Sequence, residues 1–232
     1  MAASSRRVEP EWLDELPADD PRAMRSRRDL RRVNALMDNA GIVARELRPA
    51  APFGLSALAE IGAGDGAFAL RVVRALAPAG RGAQVTLLDR QDIVTASTVA
   101  GFERAGWSVH AERGDVFEWL QRVPPGRFDA ILANLFLHHF DGPRLAELLA
   151  LVAARTRCFI ACEPRRSHAA LAGSRLLGLV GCNDVTRHDA VTSVRAGFTG
   201  VELSALWPHD GAWVLEERAR GLFSHSFVAR RV

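Results

Sequence analysis

Short apolar runs alternate with helix-like stretches over most of the chain. The runs at residues 57–61, 84–88, 108–112, 129–133 and 158–162 predict strands. Stretches with helical spacing of apolar residues lie between them, at 67–77, 92–105, 116–122 and 142–154. Five strand-helix repeats of this kind predict an α/β fold with a mostly parallel, Rossmann-like sheet that has helices on both faces.

The amino-terminal region has a different pattern. Residues 9–20 carry six carboxylates and no cation, whereas residues 22–48 carry eight arginines against three acids. Apolar residues recur at near-helical spacing in the second stretch, which predicts a basic amphipathic helix. The Pro-rich segment 49–54 then ends the helix. We therefore expect a helical extension or lid over residues 1–54 and a second unit over 55–232.

The region after the fifth predicted strand contains an insertion, at about residues 164–190. Residues 165–180 predict a helix with an unusually apolar end at 176–180, followed by a polar stretch at 183–189 and a further helix through Arg195. We expect the insertion to form one wall of a binding pocket. The runs 201–207 and 222–228 predict two antiparallel strands that close the sheet.

Composition narrows the class of protein. The chain has 232 residues, of which 48% are hydrophobic and 25% charged, enough for one well-packed domain with an appendage. Lysine is absent, the net charge is only +3, and the arginines are spread along the chain, so we expect no nucleic-acid partner. No apolar segment approaches the roughly 18 residues of a membrane span. We expect a cytoplasmic protein without stable membrane insertion.

Three cysteines, Cys158, Cys162 and Cys182, lack the spacing of a zinc site or a disulfide framework. They are interpreted as free thiols.

A glycine-rich loop lies between the first predicted strand and the next helix. Gly62, Gly64 and Gly66 would let the backbone approach a ligand closely, with helix N–H groups facing it, which predicts a nucleotide-type cofactor. Gly62, Gly64 and Ala67 also satisfy the dinucleotide pattern G-x-G-x-x-A, so the glycines leave a nicotinamide cofactor open. The carboxylates of Glu60 and Asp65, however, favour a cationic ligand over a diphosphate.

S-adenosylmethionine is such a cation, and the pattern E-x-G-x-G-x-G at Glu60–Gly66 resembles class I methyltransferases. The resemblance implies that Asp89 accepts hydrogen bonds from the ribose hydroxyls and that Asp115 receives the adenine amino group. It also places Asn134, at the end of the fourth strand, beside the methionine part. Asp89 and Asp115 could equally cap the following helices, and Asp129 is expected to be structural. The cofactor-binding residues predicted in this way are Glu60, Gly62, Gly64, Gly66, Asp89, Arg90, Asp115, Val116 and Asn134.

The methyl acceptor is expected to be a small molecule. The segment 134–140 reads Asn-Leu-Phe-Leu-His-His-Phe in place of the N-P-P-Y run of related amino methyltransferases, and no Pro-Cys nucleophile occurs. Phe136 and Phe140 would form an apolar wall, and an imidazole suits removal of a phenol or enol proton near neutral pH. We choose His139 as the base, with His138 as the other catalytic candidate. O-methylation is the prediction, and C-methylation of a quinol-type ring is the closest alternative.

Arg165, His168 and His188 in the insertion are further candidates for substrate binding, with Arg166 and Arg187 nearby. No metal is expected, because a metal-assisted reaction needs acids at the ends of the fourth and fifth strands. Glu163 is one such acid, but Asn134 is not.

The amino-terminal region also resembles bacterial methyltransferases encoded beside type III polyketide synthases, which implies a resorcinol, pyrone or quinone acceptor. A homodimer, an NAD-dependent oxidoreductase and a non-catalytic cofactor-binding regulator stay open as alternatives.

Overall fold

A computed structural model of the protein describes residues 5–50, 54–76 and 82–232. Its strands are β1 (Ala57–Ile61), β2 (Gln84–Asp89), β3 (Ser108–Arg113), β4 (Ala130–Asn134), β5 (Cys158–Pro164), β6 (Trp213–Arg220) and β7 (Ser224–Arg231). Its helices are α1 (Trp12–Glu15), α2 (Pro21–Met37), α3 (Asn39–Leu47), α4 (Ala67–Ala75), α5 (Ala96–Arg104), α6 (Val116–Arg122), α7 (Gly142–Arg155), α8 (His168–Arg175) and α9 (Asp184–Ala196).

The strands form one sheet in the order β3-β2-β1-β4-β5-β7-β6. The first five strands are parallel, and β7 runs antiparallel between β5 and β6. The predicted fold class, a mostly parallel Rossmann-like sheet with antiparallel closure, is confirmed. Because strand order reverses between β1 and β4, the carboxyl ends of these two strands open a crevice between them.

Two apolar cores cover the faces of the sheet. Helices α3, α4 and α5 bury Leu47, Val72 and Phe102 against one face, and α6 and α7 bury Trp119 and Leu148 against the other. The central strands β4 and β5 are buried along their whole length, which explains why they read as continuous apolar runs. The cysteines are free, with Cys158 and Cys162 buried and Cys182 partly exposed.

The predicted basic helix at 22–48 is two helices. The chain breaks at Asp38, which has the left-handed backbone angle φ of 52°, and α3 then turns onto the sheet. Residues 51–53 of the predicted Pro-rich break and residue 77 at the predicted end of α4 lie outside the described residues.

The prediction of a strand at 201–207 was wrong. This stretch is a loop with a 3₁₀ turn at Ser204–Leu206. The side chains of Leu203 and Trp207 extend from this loop into the core and are buried there. The strand is instead the polar Trp213–Arg220, which tolerates charged side chains because it is the edge of the sheet and pairs only with β7.

The predicted helix at 165–180 is also shorter than expected. It comprises α8 and a 3₁₀ turn at Leu176–Val180, and the turn ends at Gly181 with φ of 82°. The predicted polar stretch at 183–189 belongs mostly to α9, because Asn183 caps that helix through the N–H of Thr186. Among the described residues, none of the helices is long and apolar enough to cross a bilayer.

Candidate active site

A cavity of about 740 Å³ lies at the carboxyl ends of β1, β2 and β4. The glycine loop and the ends of β2 and β4 form its floor, and α2 with the amino-terminal residues 8–15 covers it. Residues that we predicted from sequence line it: Glu60, Gly62, Gly64, Asp89, Arg90, Asp115, Val116, Asn134, Phe136, His138, His139 and Phe140.

The glycine loop requires its glycines. Gly62, Gly64 and Gly66 have φ of 68°, 56° and 74°, a region that residues with a Cβ rarely adopt. A Cβ at Gly62 would also lie only 2.2 Å from Cδ2 of Phe136. The loop therefore brings bare backbone against the turn that follows β4, and the two segments form adjacent walls of the cavity.

The Asp89 carboxylate fixes the loop to the end of β2. Its Oδ2 accepts a hydrogen bond from the Gly64 N–H at 2.8 Å, and its Oδ1 accepts one from the Gln91 N–H at 2.9 Å. A carboxylate has about four lone-pair sites, so these two bonds leave capacity for a ligand's hydroxyl groups.

The Glu60 side chain is only 1% exposed and accepts a hydrogen bond from the Ala69 N–H at 3.2 Å. Burial raises the pKa of Glu60 well above its ordinary value, and the charges of Asp65 and Asp89 raise it further. This environment therefore favours the neutral form of Glu60 unless a cation lies nearby.

Helix α2 lies over the loop and changes its electrostatics. Arg31 forms an ion pair of 2.7 Å with Asp65, and Arg27 donates to the side-chain oxygen of Gln91 at 2.6 Å. Asp65 is thus already paired with a cation, so it favours a cationic ligand less than we expected from the sequence. Among the described residues, Glu60 and Asp89 provide the acidic character at this end of the cavity.

Asp115 is a helix cap, as the alternative interpretation had it. Its Oδ1 accepts from the Phe117 N–H at 2.9 Å at the start of α6. Because it also lines the cavity together with Val116, its predicted contact with adenine stays a prediction. Asp129 has the structural role that we expected, since it accepts hydrogen bonds from Ser56 and Ala57 away from the cavity.

Asn134 belongs to a buried amide network that the sequence did not indicate. Its Oδ1 accepts from Nδ2 of Asn39 at 3.0 Å, and its Nδ2 lies 3.5 Å from Oδ1 of Asn34. Ser224 donates to Oδ1 of Asn39 at 2.7 Å. The network connects the end of β4 to α2, α3 and β7, so it fixes where the helical cover sits.

His138 is enclosed by two carboxylates. Its Nδ1 lies 2.8 Å from Oε2 of Glu163, and its Nε2 lies 3.2 Å from Oε1 of Glu11. Desolvation alone would lower the pKa of His138, but the hydrogen bonds and charges of Glu11 and Glu163 raise it to about 10. A protonated histidine does not accept a proton, so this environment favours His139 over His138 as the candidate base.

His139 has the opposite environment. Burial and the adjacent positive charge of His138 lower the pKa of His139 below its ordinary value, despite the carboxylates nearby. The ring is 24% exposed, and its Nδ1 lies 3.3 Å from Oδ2 of Asp14. The rings of Phe136 and Phe140, whose centroids are 5.2 Å apart, lie on the same turn. The arrangement is that of a proton acceptor beside an apolar surface.

Comparisons with known proteins agree with this geometry. Residues 58–157 match a family model described as "Methyltransferase domain". The chain therefore contains a methyltransferase domain at residues 58–157. No curated protein matches the sequence.

Solved structures with the same fold include three methyltransferases of low sequence identity. An O-methyltransferase family protein from Burkholderia thailandensis is 16% identical, with a TM-score of 0.63 over 92% of this chain and 61% of that one. The mitomycin 7-O-methyltransferase MmcR is 20% identical, with a TM-score of 0.60 over 95% and 60%. The chain thus spans only about 60% of the length of these two proteins. The plantazolicin methyltransferase BamL, solved with a triazolic desmethylPZN analog and SAH, is 12% identical, with a TM-score of 0.65 over 94% and 92%.

The amino-terminal segment contributes to the site of the methyltransferase domain in a way that sequence reasoning missed. Glu11 contacts His138 and accepts a hydrogen bond from Ser193 of α9. The carboxylate of Asp189 accepts from the N–H groups of Trp12 and Leu13 at 2.9 and 3.0 Å. The run of carboxylates at 9–20 was the available signal, although nothing in the sequence identified its partners.

Three predicted substrate contacts are corrected, because they do not line the cavity. Arg165 donates to the carbonyl oxygen of Gly221, and His168 is exposed at the start of α8. His188 stacks on Trp12 with ring centroids 3.8 Å apart and lies 2.9 Å from Asp189. The expected apolar pocket wall at Leu176–Val180 is exposed instead.

Glu11, His138 and His139 present potential metal ligands within 4.8 Å of one another. Both ring nitrogens of His138 face carboxylate oxygens, so a metal bound through His138 would have to replace one of these two contacts. Glu163, the acid at the end of β5 that a metal-assisted reaction could use, accepts hydrogen bonds from the N–H groups of Phe136 and Leu137. The absence of a metal stays a prediction.

Proposed function

We propose that the protein transfers the methyl group of S-adenosylmethionine to a hydroxyl oxygen of a small hydrophobic phenol or enol. The observation that supports this most is the position of His139. It lines one cavity with the glycine loop and Asp89, its surroundings lower its pKa and so favour the neutral ring, and Phe136 and Phe140 adjoin it. A donor end and an acceptor end therefore share one space.

The cofactor, when bound, supplies a sulfonium methyl whose transfer to a nucleophile releases a neutral thioether. The residues of this cavity fit such a cation, since Glu60 and Asp89 supply acidic groups and the loop supplies close backbone. The remaining work of the protein is to align the acceptor, exclude water and accept the acceptor's proton. His139 would take that proton on its ring, and the charge it gains faces Asp14.

The polyketide-type acceptor is part of the same proposal. A resorcinol, pyrone or quinol combines an acidic hydroxyl with an apolar body, which matches an imidazole beside aromatic rings. Two of the solved structures with this fold are described as O-methyltransferases, which favours oxygen over carbon. Carbon methylation of a quinol ring would use the same base and surface.

Residues 1–54 would act as the lid of the catalytic unit at 55–232. Among the described part of that segment, α2 and residues 8–15 cover the cavity and so would shield the reacting atoms from water.

The test is incubation with isotopically labelled S-adenosylmethionine and a panel of alkylresorcinols, pyrones and hydroquinones, with the methyl located by mass spectrometry. His139→Ala should lower turnover by about 10²–10⁴-fold, which is the usual contribution of a general base, and should leave cofactor affinity nearly unchanged. His168→Ala, at an exposed histidine outside the cavity, is the matched control. A methyl group located on a ring carbon would show C-methylation in place of O-methylation. Unchanged turnover in His139→Ala would show that His139 is not the base.

A further inference from the structure

The 3₁₀ turn at Leu176–Val180 carries an unusual amount of exposed apolar surface. Leu176 is 56% exposed, Leu179 83% and Val180 66%. Because the turn packs no side chain of these three residues into the core, their apolar character does not come from a role in folding.

A second apolar tip contacts the helix that leads into the first. The turn between β6 and β7 exposes Leu222 by 59% and Phe223 by 39%. The Phe223 ring packs against α8, since a Cβ on Gly173 would lie 2.6 Å from its Cε1. Helix α8 leads directly into the 176–180 turn, so the two tips belong to one surface. We call Leu176, Leu179, Val180, Leu222 and Phe223 the apolar tip surface.

Arginines surround the apolar tip surface. Arg25 of α2 donates to the carbonyl oxygen of Gly181 at 3.1 Å, and Arg165 donates to that of Gly221 at 3.0 Å. Arg187 lies against the turn as well, because a Cβ on Gly178 would be 3.0 Å from its Nε. Carbonyl contacts leave each guanidinium its full positive charge, so the apolar tips lie within a basic border.

The acids nearby do not cancel this border. Asp29 is 2% exposed, accepts a hydrogen bond from the N–H of Asn183 and forms an ion pair with Arg32. Asp184, in the first turn of α9, is exposed and keeps its negative charge, but Arg25, Arg165 and Arg187 outnumber it. The exposed charge at the tips is therefore mainly that of the arginines.

We propose that the apolar tip surface binds peripherally to an anionic lipid bilayer. Its leucine, valine and phenylalanine side chains enter the boundary between headgroups and acyl chains, and the arginines contact lipid phosphates. A second copy of the chain suits the surface less, because a two-fold contact would place the same arginines opposite one another. The inference concerns binding alone and does not depend on the proposed acceptor.

The native thiols allow a direct test. Cys182 is next to the turn and partly exposed, whereas Cys158 and Cys162 are buried. An environment-sensitive maleimide dye at Cys182 should shift its emission to the blue with vesicles of phosphatidylcholine plus phosphatidylglycerol, and not with phosphatidylcholine alone. Sedimentation of the unlabelled protein with the same vesicles checks that the dye does not cause the binding. Added salt should weaken binding to the anionic vesicles.

Variants identify the surface. The double variant Leu179→Ser/Val180→Ser should bind anionic vesicles at least about tenfold more weakly, because two side chains no longer gain apolar burial. Arg187→Gln should weaken binding about fivefold through loss of one charge near the surface. Val201→Ser, at a valine that is 64% exposed elsewhere, should change nothing. All four positions are exposed, so circular dichroism should show unchanged folding.

Two results would overturn the proposal. One is the absence of sedimentation with anionic vesicles, or equal sedimentation of the double variant. The other is a dimer in light scattering that Leu179→Ser/Val180→Ser dissociates while vesicles bind no protein, which would assign the surface to a second copy of the chain.

Discussion

The buried contact between Glu11 and His138 predicts how the amino-terminal segment is held. Glu11→Gln keeps the size and most hydrogen-bonding capacity of the side chain but removes its charge. Glu11 makes no side-chain capping bond to α1, so the substitution does not act through the helix end. What it changes is the negative charge on the group that faces protonated His138 and accepts the hydrogen bond of Ser193.

The structure gives the size of the effect. Burial raises the pKa of Glu11, but its hydrogen bond and attraction to His138 outweigh this and lower it from 4.5 to about 2. This corresponds to about 3 kcal/mol of stabilisation. The pKa of His138, raised from 6.5 to about 10, corresponds to about 5 kcal/mol. The second figure is larger because it also contains the contribution of Glu163. We expect Glu11→Gln to lower the free energy of unfolding by about 3 kcal/mol.

The loss depends on pH. Ionised Glu11 stabilises the fold fully above pH 4.5, and this is lost as the pH falls towards about 2. Protonated His138 stabilises it fully below pH 6.5, and this is lost as the pH rises towards about 10. The difference between wild type and variant should therefore be greatest between 4.5 and 6.5 and should narrow as the pH approaches about 10.

Urea denaturation followed by tryptophan fluorescence measures this difference at a pH inside that window and at a pH close to the pKa of His138. Glu15→Gln, an exposed glutamate in α1, is the matched control and should have no effect in either condition. A loss in Glu11→Gln that is equal at both pH values would show that Glu11 acts by packing and refute the charge argument. No loss relative to Glu15→Gln would refute the contact itself.

Two further variants test the cofactor end of the cavity. Asp89→Asn should weaken binding of S-adenosylmethionine by roughly 1.5–3 kcal/mol in titration calorimetry, because a charged acceptor is lost; tight binding of NAD by the wild type would contradict the cofactor assignment. Because burial raises the pKa of Glu60, its ionisation opposes folding as the pH rises above 4.5, so Glu60→Gln should raise the thermal stability of the free protein at neutral pH. The same variant should weaken cofactor binding, and lower stability of the variant at neutral pH, or an unchanged pH dependence of stability, would contradict a raised pKa of Glu60.

The sequence by itself determined the alternation of strands and helices. Strand β1 and helix α6 have the bounds that the pattern predicted, Ala57–Ile61 and Val116–Arg122. Both signals are local: a strand buried on both faces is a continuous apolar run, and Asp115 directly precedes the helix that it caps. The glycine loop was equally readable, since positive φ angles require glycine at Gly62 and Gly66.

The edge strand β6 and the loop at 201–207 were not readable in this way. Strand β6 is polar because it is an edge, and the apolar residues Leu203 and Trp207 reach the core from a loop. A local pattern of apolar residues predicts which residues are buried. It does not distinguish a buried strand from a loop whose side chains reach the core, as those of Leu203 and Trp207 do. The exposed apolar turn at Leu176–Val180 is the converse case, in which an apolar run is not buried.

The tertiary structure alone decided the different environments of the two adjacent histidines. His138 and His139 are chemically identical neighbours in the sequence, and their pKa values shift in opposite directions. The reason is that Glu11 and Glu163, both distant along the chain, converge on the first ring, and the charge they hold there then opposes protonation of the second. Electrostatic interactions act through space, so the order of residues along the chain does not specify them until the fold brings the charges together.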